Sequence, residues 1–137
     1  MEDNKDIWIY FVDILSRQGK YKEAEKACRD ALKRNRNFQE AWYYLGINMY
    51  KQGKYKEAEE ACLESVKINK DNKKGWFCLS VSLFRQDKLT EAEEAVRKLL
   101  EIDENNKAAW NNLGTILNKQ GKHSEAREAY KKAKNTT

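Results

Sequence analysis

The sequence predicts an all-α protein built from four copies of one helical pair. A tryptophan recurs every 34 residues, at Trp8, Trp42, Trp76 and Trp110. A turn-forming residue recurs at the same interval, at Gly19, Gly53, Asp87 and Gly121. The chain contains no proline, and it shows no strand-like alternation of polar and apolar residues. A fixed period of this length is typical of helical repeats that stack into a solenoid.

Each repeat is expected to begin with a helix of about 13 residues, bounded by local signals. The four first helices are predicted at residues 5–17, 39–51, 73–85 and 107–119. A short polar residue precedes each of them at one phase of the repeat and is predicted to cap its N-terminus: Asp3, Asn37, Asp71 and Asn105. The recurring glycine then ends the helix, because glycine adopts the left-handed conformation without a steric penalty.

The second helix of each repeat carries alanine at helical spacing. These helices are predicted at residues 22–35, 56–69, 90–103 and 124–135. Small side chains let two helices approach closely, and Gly46 and Gly114 in the first helices are predicted to lie at such close crossings. The chain is therefore expected to be one domain, residues 1–137, with repeats at about 5–38, 39–72, 73–106 and 107–137.

The second repeat resembles a known family. Its segment AWYYLGINMYKQGKYKEAEEACLESV, residues 41–66, is similar to the tetratricopeptide repeat (TPR). The family's recurring positions fall on Trp42, Leu45, Gly46, Tyr55, Ala58 and Ser65. The first repeat departs from the family pattern by placing Val12 at the tight glycine position, and the third by placing Ser80 there. The resemblance covers nearly the whole chain and implies a right-handed α-solenoid of four antiparallel helix pairs that serves as a protein-binding scaffold.

Composition and charge agree with a repeat protein. The mean hydropathy is −0.99 and 36% of the residues are charged, as expected when each repeat buries only the faces turned toward its neighbours. The N-terminal segment mixes acidic and basic residues, and Asp13 interrupts its apolar run, so a secretory signal is disfavoured. No stretch approaches the ~20 apolar residues that span a bilayer. The predicted location is cytoplasmic, as a soluble intracellular protein.

The sequence offers no catalytic, cofactor-binding or metal-binding motif, and the chain is predicted not to be an enzyme. His123 is the only histidine, and it occupies the repeat position of Tyr21 and Tyr55, so a packing role at a turn is expected. The three cysteines lack the Cys-x-x-Cys spacing of a zinc site. The carboxylate pairs Glu59-Glu60 and Glu93-Glu94 recur in register and are expected on solvated helix faces.

A nucleic-acid partner is the less favoured alternative. Four basic residues cluster at the end of the first repeat: Arg29, Lys33, Arg34 and Arg36. Basic stripes attract phosphate. The second helices also carry many glutamates, which would repel it, so a solvated face is the preferred interpretation.

The resemblance implies that first-helix residues at fixed distances after each tryptophan line a concave groove. The predicted groove residues are Ile9, Asp13, Tyr43, Ile47, Tyr50, Phe77, Val81, Phe84, Asn111 and Thr115. Its centre is apolar and aromatic, which favours a partner peptide or helix. One basic residue per repeat is expected at the groove rim, where it would favour an acidic or amphipathic ligand: Arg17, Lys51, Arg85 and Lys119. The alternative is that the rings pack on one another and close the groove.

Two further expectations concern partners. A subclass of the family holds a C-terminal carboxylate with lysine, asparagine and arginine. The corresponding positions here are Ile9, Asp13, Tyr44, Lys74 and Cys78, of which only Lys74 fits, so the acidic tails of the large heat-shock chaperones are not expected to bind. The chain is instead predicted to bind another protein segment, or to be the regulatory or substrate-docking domain of a larger enzyme.

The last helix is only partly polar. Lys134 stands where the earlier repeats have Leu32, Val66 and Leu100. Ala126 and Tyr130 are expected to remain available to a neighbour, so the sequence predicts weak end-to-end self-association or a longer parent protein.

Overall fold

The computed structural model describes residues 2–136, except for the side chains of Glu2 and Asp3. This part of the chain is all α-helical and contains no strand. Its helices are α1 (Glu2–Arg17), α2 (Tyr21–Arg34), α3 (Gln39–Lys51), α4 (Tyr55–Ile68), α5 (Lys73–Arg85), α6 (Leu89–Ile102), α7 (Lys107–Lys119) and α8 (His123–Lys134). They form four helical hairpins, as predicted. The first helices match the predicted bounds except that α1 begins earlier, and each second helix lies one residue earlier than predicted.

The predicted N-caps are wrong by one residue. Asn106, and not Asn105, precedes α7, and its Oδ1 accepts the backbone N–H of Ala109 at 3.0 Å. The residue before α3 is Phe38 rather than Asn37. Asn37 belongs to the preceding turn, because its backbone N–H donates to Oδ1 of Asn35 at 3.0 Å.

The other two predicted caps fail in related ways. The backbone N–H of Asp71 donates to Oδ1 of Asn69 at 3.1 Å, and α5 begins two residues later, at Lys73. Asp3 lies inside α1, and its side chain falls outside the described residues. The turn between repeats is thus closed by an asparagine side chain.

Contacts group the chain into two compact units, Met1–Asn72 and Lys73–Thr137, which are described separately. In the first unit, α2 packs on both α1 and α3, and α3 on α4. Its buried core consists of Val12, Leu15, Ala24, Cys28, Leu32, Ala41, Leu45, Met49, Ala58 and Ala61. A buried polar link joins α1 to α3, where Nδ2 of Asn48 donates to Oγ of Ser16 at 2.9 Å.

In the second unit, α5 packs on α6, α6 on α7, and α7 on α8. Buried residues here include Leu83, Val96, Leu99, Leu113, Ile116, Leu117, Ala126, Ala129 and Ala133. The close crossing predicted at Gly114 is confirmed, since a Cβ built there would lie 2.7 Å from Cε1 of Tyr130. The α7–α8 pair can approach this closely because residue 114 has no side chain.

In the second and fourth repeats, the recurring tryptophan donates a hydrogen bond to the turn that precedes its own helix. Nε1 of Trp42 donates to the carbonyl of Arg36 at 2.8 Å, and Nε1 of Trp110 donates to the carbonyl of Glu104 at the same distance. Each indole thus satisfies a carbonyl at the corner between repeats while its ring is partly buried. Trp42 and Trp110 therefore contribute both to packing and to the turn.

The turns inside the hairpins need a left-handed residue. Gly19, Gly53 and Gly121 have φ values of 77°, 78° and 84°, and Asp87 adopts φ 64° in the third repeat. Asp87 is the one non-glycine residue with positive φ in the described part of the chain. The third repeat therefore carries backbone strain that the other three avoid.

Asp87→Gly is expected to stabilise the protein by about 0.5 to 1 kcal/mol, because it relieves this strain at a small cost in unfolded-chain entropy. Gly53→Ala makes the reverse change at the equivalent turn and should lower stability. A Cβ at Gly53 would meet no atom within 4 Å, so this loss of stability would come from backbone strain alone. Urea unfolding of both variants measures the effect. A less stable Asp87→Gly protein would show that the aspartate contributes an interaction worth more than the strain.

Candidate partner-binding surfaces

Three predicted groove residues of the first unit share one side of α3. Tyr43, Ile47 and Tyr50, here called the α3 row, follow each other at four- and three-residue steps, and each is partly exposed. On α1, Ile9 and Asp13 are also partly exposed. The side chains of the α3 row are thus accessible on a helix face while part of each is buried.

The rings of the α3 row are held by neighbouring rings. Tyr43 contacts Tyr44 with ring centroids 5.1 Å apart, and Tyr50 contacts Tyr55 at 5.2 Å. Tyr50 also packs against the core of the unit. Because these rings are already held in place, they would lose little side-chain entropy when a ligand binds.

Two neighbouring tyrosines on α3, Tyr43 and Tyr44, have raised pKa values. Burial, and then the charge of Asp13, raises the pKa of Tyr43. The same two causes raise the pKa of Tyr44 to about 12. Asp13 itself forms an ion pair with Arg17, with Oδ2 2.9 Å from Nε. The surface therefore presents neutral phenols beside a paired carboxylate.

The second unit carries an equivalent set on α5. Phe77, Val81 and Phe84, here called the α5 row, repeat the spacing of the α3 row and are partly exposed. The polar pair Asn111 and Thr115 lies on α7 and is exposed.

Thr115 is tied to the scaffold of the second unit. Its Oγ1 donates to the carbonyl of Asn111 at 3.1 Å and lies 2.9 Å from Oη of Tyr130, the ring that covers Gly114. A change in the α7–α8 crossing would therefore also move the polar residues predicted to line the groove.

The four predicted rim residues end the first helices. Arg17, Lys51, Arg85 and Lys119 are the last residues of α1, α3, α5 and α7, and all four are exposed. A basic residue there also interacts favourably with the negative end of the helix dipole. Their position gives them a stabilising role whether or not they contact a partner.

A charged network that the sequence did not predict links successive helices within each unit. In the first unit, Glu25 accepts from Arg29 at 2.9 Å and from Gln52 at 3.1 Å. In the second, Glu93 accepts from Arg97 at 2.8 Å and lies 3.6 Å from Lys122. The prediction that Glu93 lies on a solvated face is wrong, because only 16% of its side chain is exposed. The recurrence of these residue types 68 positions apart is the signal that could have revealed the network.

Glu93→Gln is expected to lower stability by about 1 kcal/mol at pH 7. Burial by itself would raise the pKa of Glu93, but the interactions with Arg97, Gln120 and Lys122 outweigh burial and hold this pKa below the ordinary glutamate value. The carboxylate therefore contributes stability above the ordinary glutamate pKa, and this contribution is lost as the pH falls through the lowered folded-state pKa.

Denaturant unfolding of the wild type and Glu93→Gln from pH 7 into acid measures this dependence. The stability difference should shrink as the pH falls. The exposed neighbour Glu94 gives the matched control, Glu94→Gln, which should show little difference at any pH. A Glu93→Gln deficit that does not change with pH would contradict the assigned network.

Two predictions for α8 are wrong, the packing role of His123 and the availability of Ala126 to a neighbouring molecule. His123 is exposed as the first residue of α8, and its Nδ1 lies 3.0 Å from Oδ1 of Asn118. Ala126 is fully buried and so is not available to a neighbouring molecule, while Tyr130 is partly buried over Gly114. α8 uses its small residues to pack on α7 and leaves Lys134 exposed.

Within the described residues, no group of histidine, cysteine or acidic side chains is arranged to hold a metal ion. In the same part of the chain, no helix combines the length and apolar character needed to cross a bilayer.

Solved structures with the same fold include the crystal structure of MamA, with 23% identity and a TM-score of 0.86 over 92% of this chain and 74% of that one. A MamA 41-end structure from Desulfovibrio magneticus RS-1 has 20% identity and a TM-score of 0.88, covering 96% of this chain and 75% of its own. The first TPR domain of Spaghetti (RPAP3), bound to the HSP90 peptide SRMEEVD, has 21% identity and a TM-score of 0.82, covering 88% and 96%.

No curated protein sequence matches the chain significantly. The repeat pattern itself is recognised over most of the length, since residues 11–73 and 77–136 match the tetratricopeptide repeat family. Together with the helical hairpins, the left-handed turns and the tryptophan at each corner, this match assigns the fold. The chain belongs to the tetratricopeptide repeat family.

Proposed function

We propose that the chain is a protein-interaction scaffold that binds segments of a partner protein against the α3 row of the first unit and against the α5 row of the second. The observation that carries the proposal is that aromatic and aliphatic side chains remain partly exposed in a regular row on each helix. Exposed apolar surface of this kind is typical of binding sites. Helical surfaces accept either an amphipathic helix or an extended peptide.

Burial of the partner's apolar side chains provides the binding energy. An aromatic side chain can bury ~150 to 250 Å² in all, but the rings of the rows are only partly exposed, so each can bury only a fraction of that area against a ligand. Ordering and desolvation of the ligand offset most of this gain. An isolated peptide is therefore expected to bind with a dissociation constant of roughly micromolar size. Ring contacts such as that of Tyr50 with Tyr55 favour binding, because they limit the motion of the tyrosine side chain before the ligand arrives.

The basic residues that end the first helices favour an acidic or amphipathic ligand. Lys51 and Lys119 are exposed and would accelerate association at low salt. Asp13 would oppose an acidic ligand, but its ion pair with Arg17 reduces that effect. The apolar rows are expected to determine how long the ligand stays bound.

The proposed ligand differs in kind from the HSP90 peptide bound by the RPAP3 domain. This chain has Ile9, Asp13 and Tyr44 at positions where a carboxylate-binding TPR domain needs lysine or asparagine. Asp13 would repel a terminal carboxylate, and Tyr44 stays neutral because its pKa is about 12. We therefore propose recognition through apolar side chains rather than through a chain terminus.

The alternatives from the sequence remain distinct proposals. A docking domain of a larger enzyme would use the same rows, so it differs only in what the partner or the rest of the protein does. An RNA-binding role is less supported, because Arg29 is engaged by Glu25 and by Sδ of Met49, 3.9 Å away. The cytoplasmic location stays a prediction.

A comparison of captured proteins tests the proposed function. Native lysate is passed over immobilised wild type, the double variant Tyr50→Ala/Phe84→Ala, and the control Tyr21→Ala, which changes a partly exposed tyrosine outside both rows. A partner held by wild type and control but lost by the double variant supports the proposal. Equal capture by all three proteins would contradict it.

A further inference from the structure

The first helix carries an exposed apolar face, and the repeat equivalents of two of its three residues are buried. Ile7, Tyr10 and Phe11 are 67%, 70% and 53% exposed, and their three- and four-residue spacing places them on one side of α1. These three residues are called the N-terminal patch. At the position equivalent to Phe11, Leu45 is 4% exposed and Leu113 is 2% exposed. At Ile7 and Phe11 the patch therefore exposes positions that are buried in later repeats.

In the second and fourth repeats, the positions equivalent to Ile7 and Phe11 are covered by the second helix of the preceding repeat. In the first unit α2 packs on α3, and in the second unit α6 packs on α7. Ala41 and Ala109, which correspond to Ile7, are fully buried in those arrangements. The N-terminal patch thus corresponds to the surface of α3 and of α7 that receives the second helix of the preceding repeat.

A cleft beside the patch extends the apolar surface. It has a volume of about 820 Å³, and its lining includes Trp8, Phe11, Ala27, Ala31, Phe38 and Ile68. α1 crosses α2 with Val12 at the position of Gly114, and a valine side chain keeps two helices further apart than a glycine does. The cleft is large enough to accept side chains of a docked helix.

Charge indicates what the docked helix should carry. Gln52 binds Glu25 of α2 at 3.1 Å, and Lys122 lies 3.6 Å from Glu93 of α6. The equivalent residues of the first repeat are Gln18 and Lys20, and both are exposed. A helix seated on the patch in the same way would place a glutamate beside them.

We propose that the N-terminal patch docks an amphipathic α-helix of another protein, one that carries small apolar residues and a glutamate in the pattern of α2 and α6. This binding surface is separate from the α3 and α5 rows and does not rest on the function proposed for them.

The chain's own last helix is a poor occupant. At the repeat position of Glu25 and Glu93, α8 has Arg127, which would lie beside Lys20 of a second copy stacked end to end. Lys134 replaces the apolar residue at the position of Leu32, and it is exposed. Like charges and a buried lysine both oppose that arrangement. The last helix of a second copy is therefore not the expected occupant of the patch.

A labelled synthetic peptide with the sequence of α6, residues 89–102, tests the proposal by fluorescence anisotropy with the full chain. The peptide is expected to bind saturably, and Phe11→Glu should weaken binding at least about tenfold by placing a charge in the apolar contact. Lys20→Glu should weaken it about threefold. A peptide carrying Glu93→Lys should bind the Lys20→Glu protein better than it binds wild type.

The controls separate this site from the others. Lys22→Glu makes the same charge change at an exposed position of α2 and should leave binding nearly unchanged, and circular dichroism checks that Phe11→Glu stays folded. Absence of binding at about 1 mM peptide, or equal affinity for Phe11→Glu and wild type, would overturn the proposal. So would loss of binding in Tyr50→Ala/Phe84→Ala with Phe11→Glu unaffected, because the peptide would then occupy the rows. A dimer in sedimentation that Phe11→Glu abolishes would overturn it in favour of a second copy.

Discussion

Gly114→Leu is expected to destabilise the protein by about 1 to 3 kcal/mol, because the side chain has no space at the α7–α8 crossing. The first atom of any side chain would already lie 2.7 to 2.9 Å from three ring carbons of Tyr130. That ring cannot move away freely, since its Oη lies 2.9 Å from Oγ1 of Thr115. Either the helices separate or the ring leaves its place, and both lose packing in the second unit.

Urea or thermal unfolding measures this loss. Tyr130→Ala provides the matched test, because removing the ring should make Gly114→Leu far less harmful than it is in the wild-type background. Such a double-mutant comparison isolates the contact between the two positions from the general cost of a larger residue. A Gly114→Leu protein as stable as wild type would show that the crossing is looser than described here.

Tyr50→Ala and Phe84→Ala are each expected to weaken binding of the captured partner by ~1 to 2 kcal/mol, about five- to thirtyfold, because each removes an aromatic ring from its row. Titration of the partner segment against each variant measures the change. Tyr50→Phe keeps the ring and should retain most of the affinity. Raising the salt concentration should slow association while changing dissociation little.

Melting temperatures of the same variants separate binding from folding. The sequence alone predicts nearly unchanged stability, but Tyr50 packs against Tyr55 and the core, so a moderate loss is expected for Tyr50→Ala. If both variants unfold, the rings belong to the core and the rows are not a binding surface. If both stay folded with full affinity, the partner binds elsewhere.

The fold could be predicted in detail because the repeat constrains every copy at once. Four tryptophans in register and a turn residue in each hairpin predicted both ends of every first helix correctly, apart from the start of α1. The caps were missed because more than one short polar residue stands at each corner. Asn35 accepts the backbone N–H of Asn37, and Asn69 accepts that of Asp71, so the predicted caps belong to the turns. Local sequence cannot settle that competition, since the same side chain suits either role.

Some of the candidate surfaces could be predicted from the sequence and others could not. The α3 and α5 rows follow from helical spacing, which is a property of the sequence. The network around Glu93 was not predicted, because it requires the turn before α8 to bring Lys122 back over α6. The N-terminal patch was not predicted either, since Phe11 has the character of a core residue and only the structure shows that nothing in the described part of the chain covers it.

Site-specific photo-crosslinking tests the proposed binding surface most directly. A photoreactive residue is placed at Ile47 in the α3 row, at Val81 in the α5 row, and at the exposed control position Lys26 on α2. We expect partner adducts from positions 47 and 81 and little from position 26. Unlabelled partner segment should reduce the adducts at positions 47 and 81. Adducts that form only at position 26, or equally at all three positions, would contradict binding at the rows.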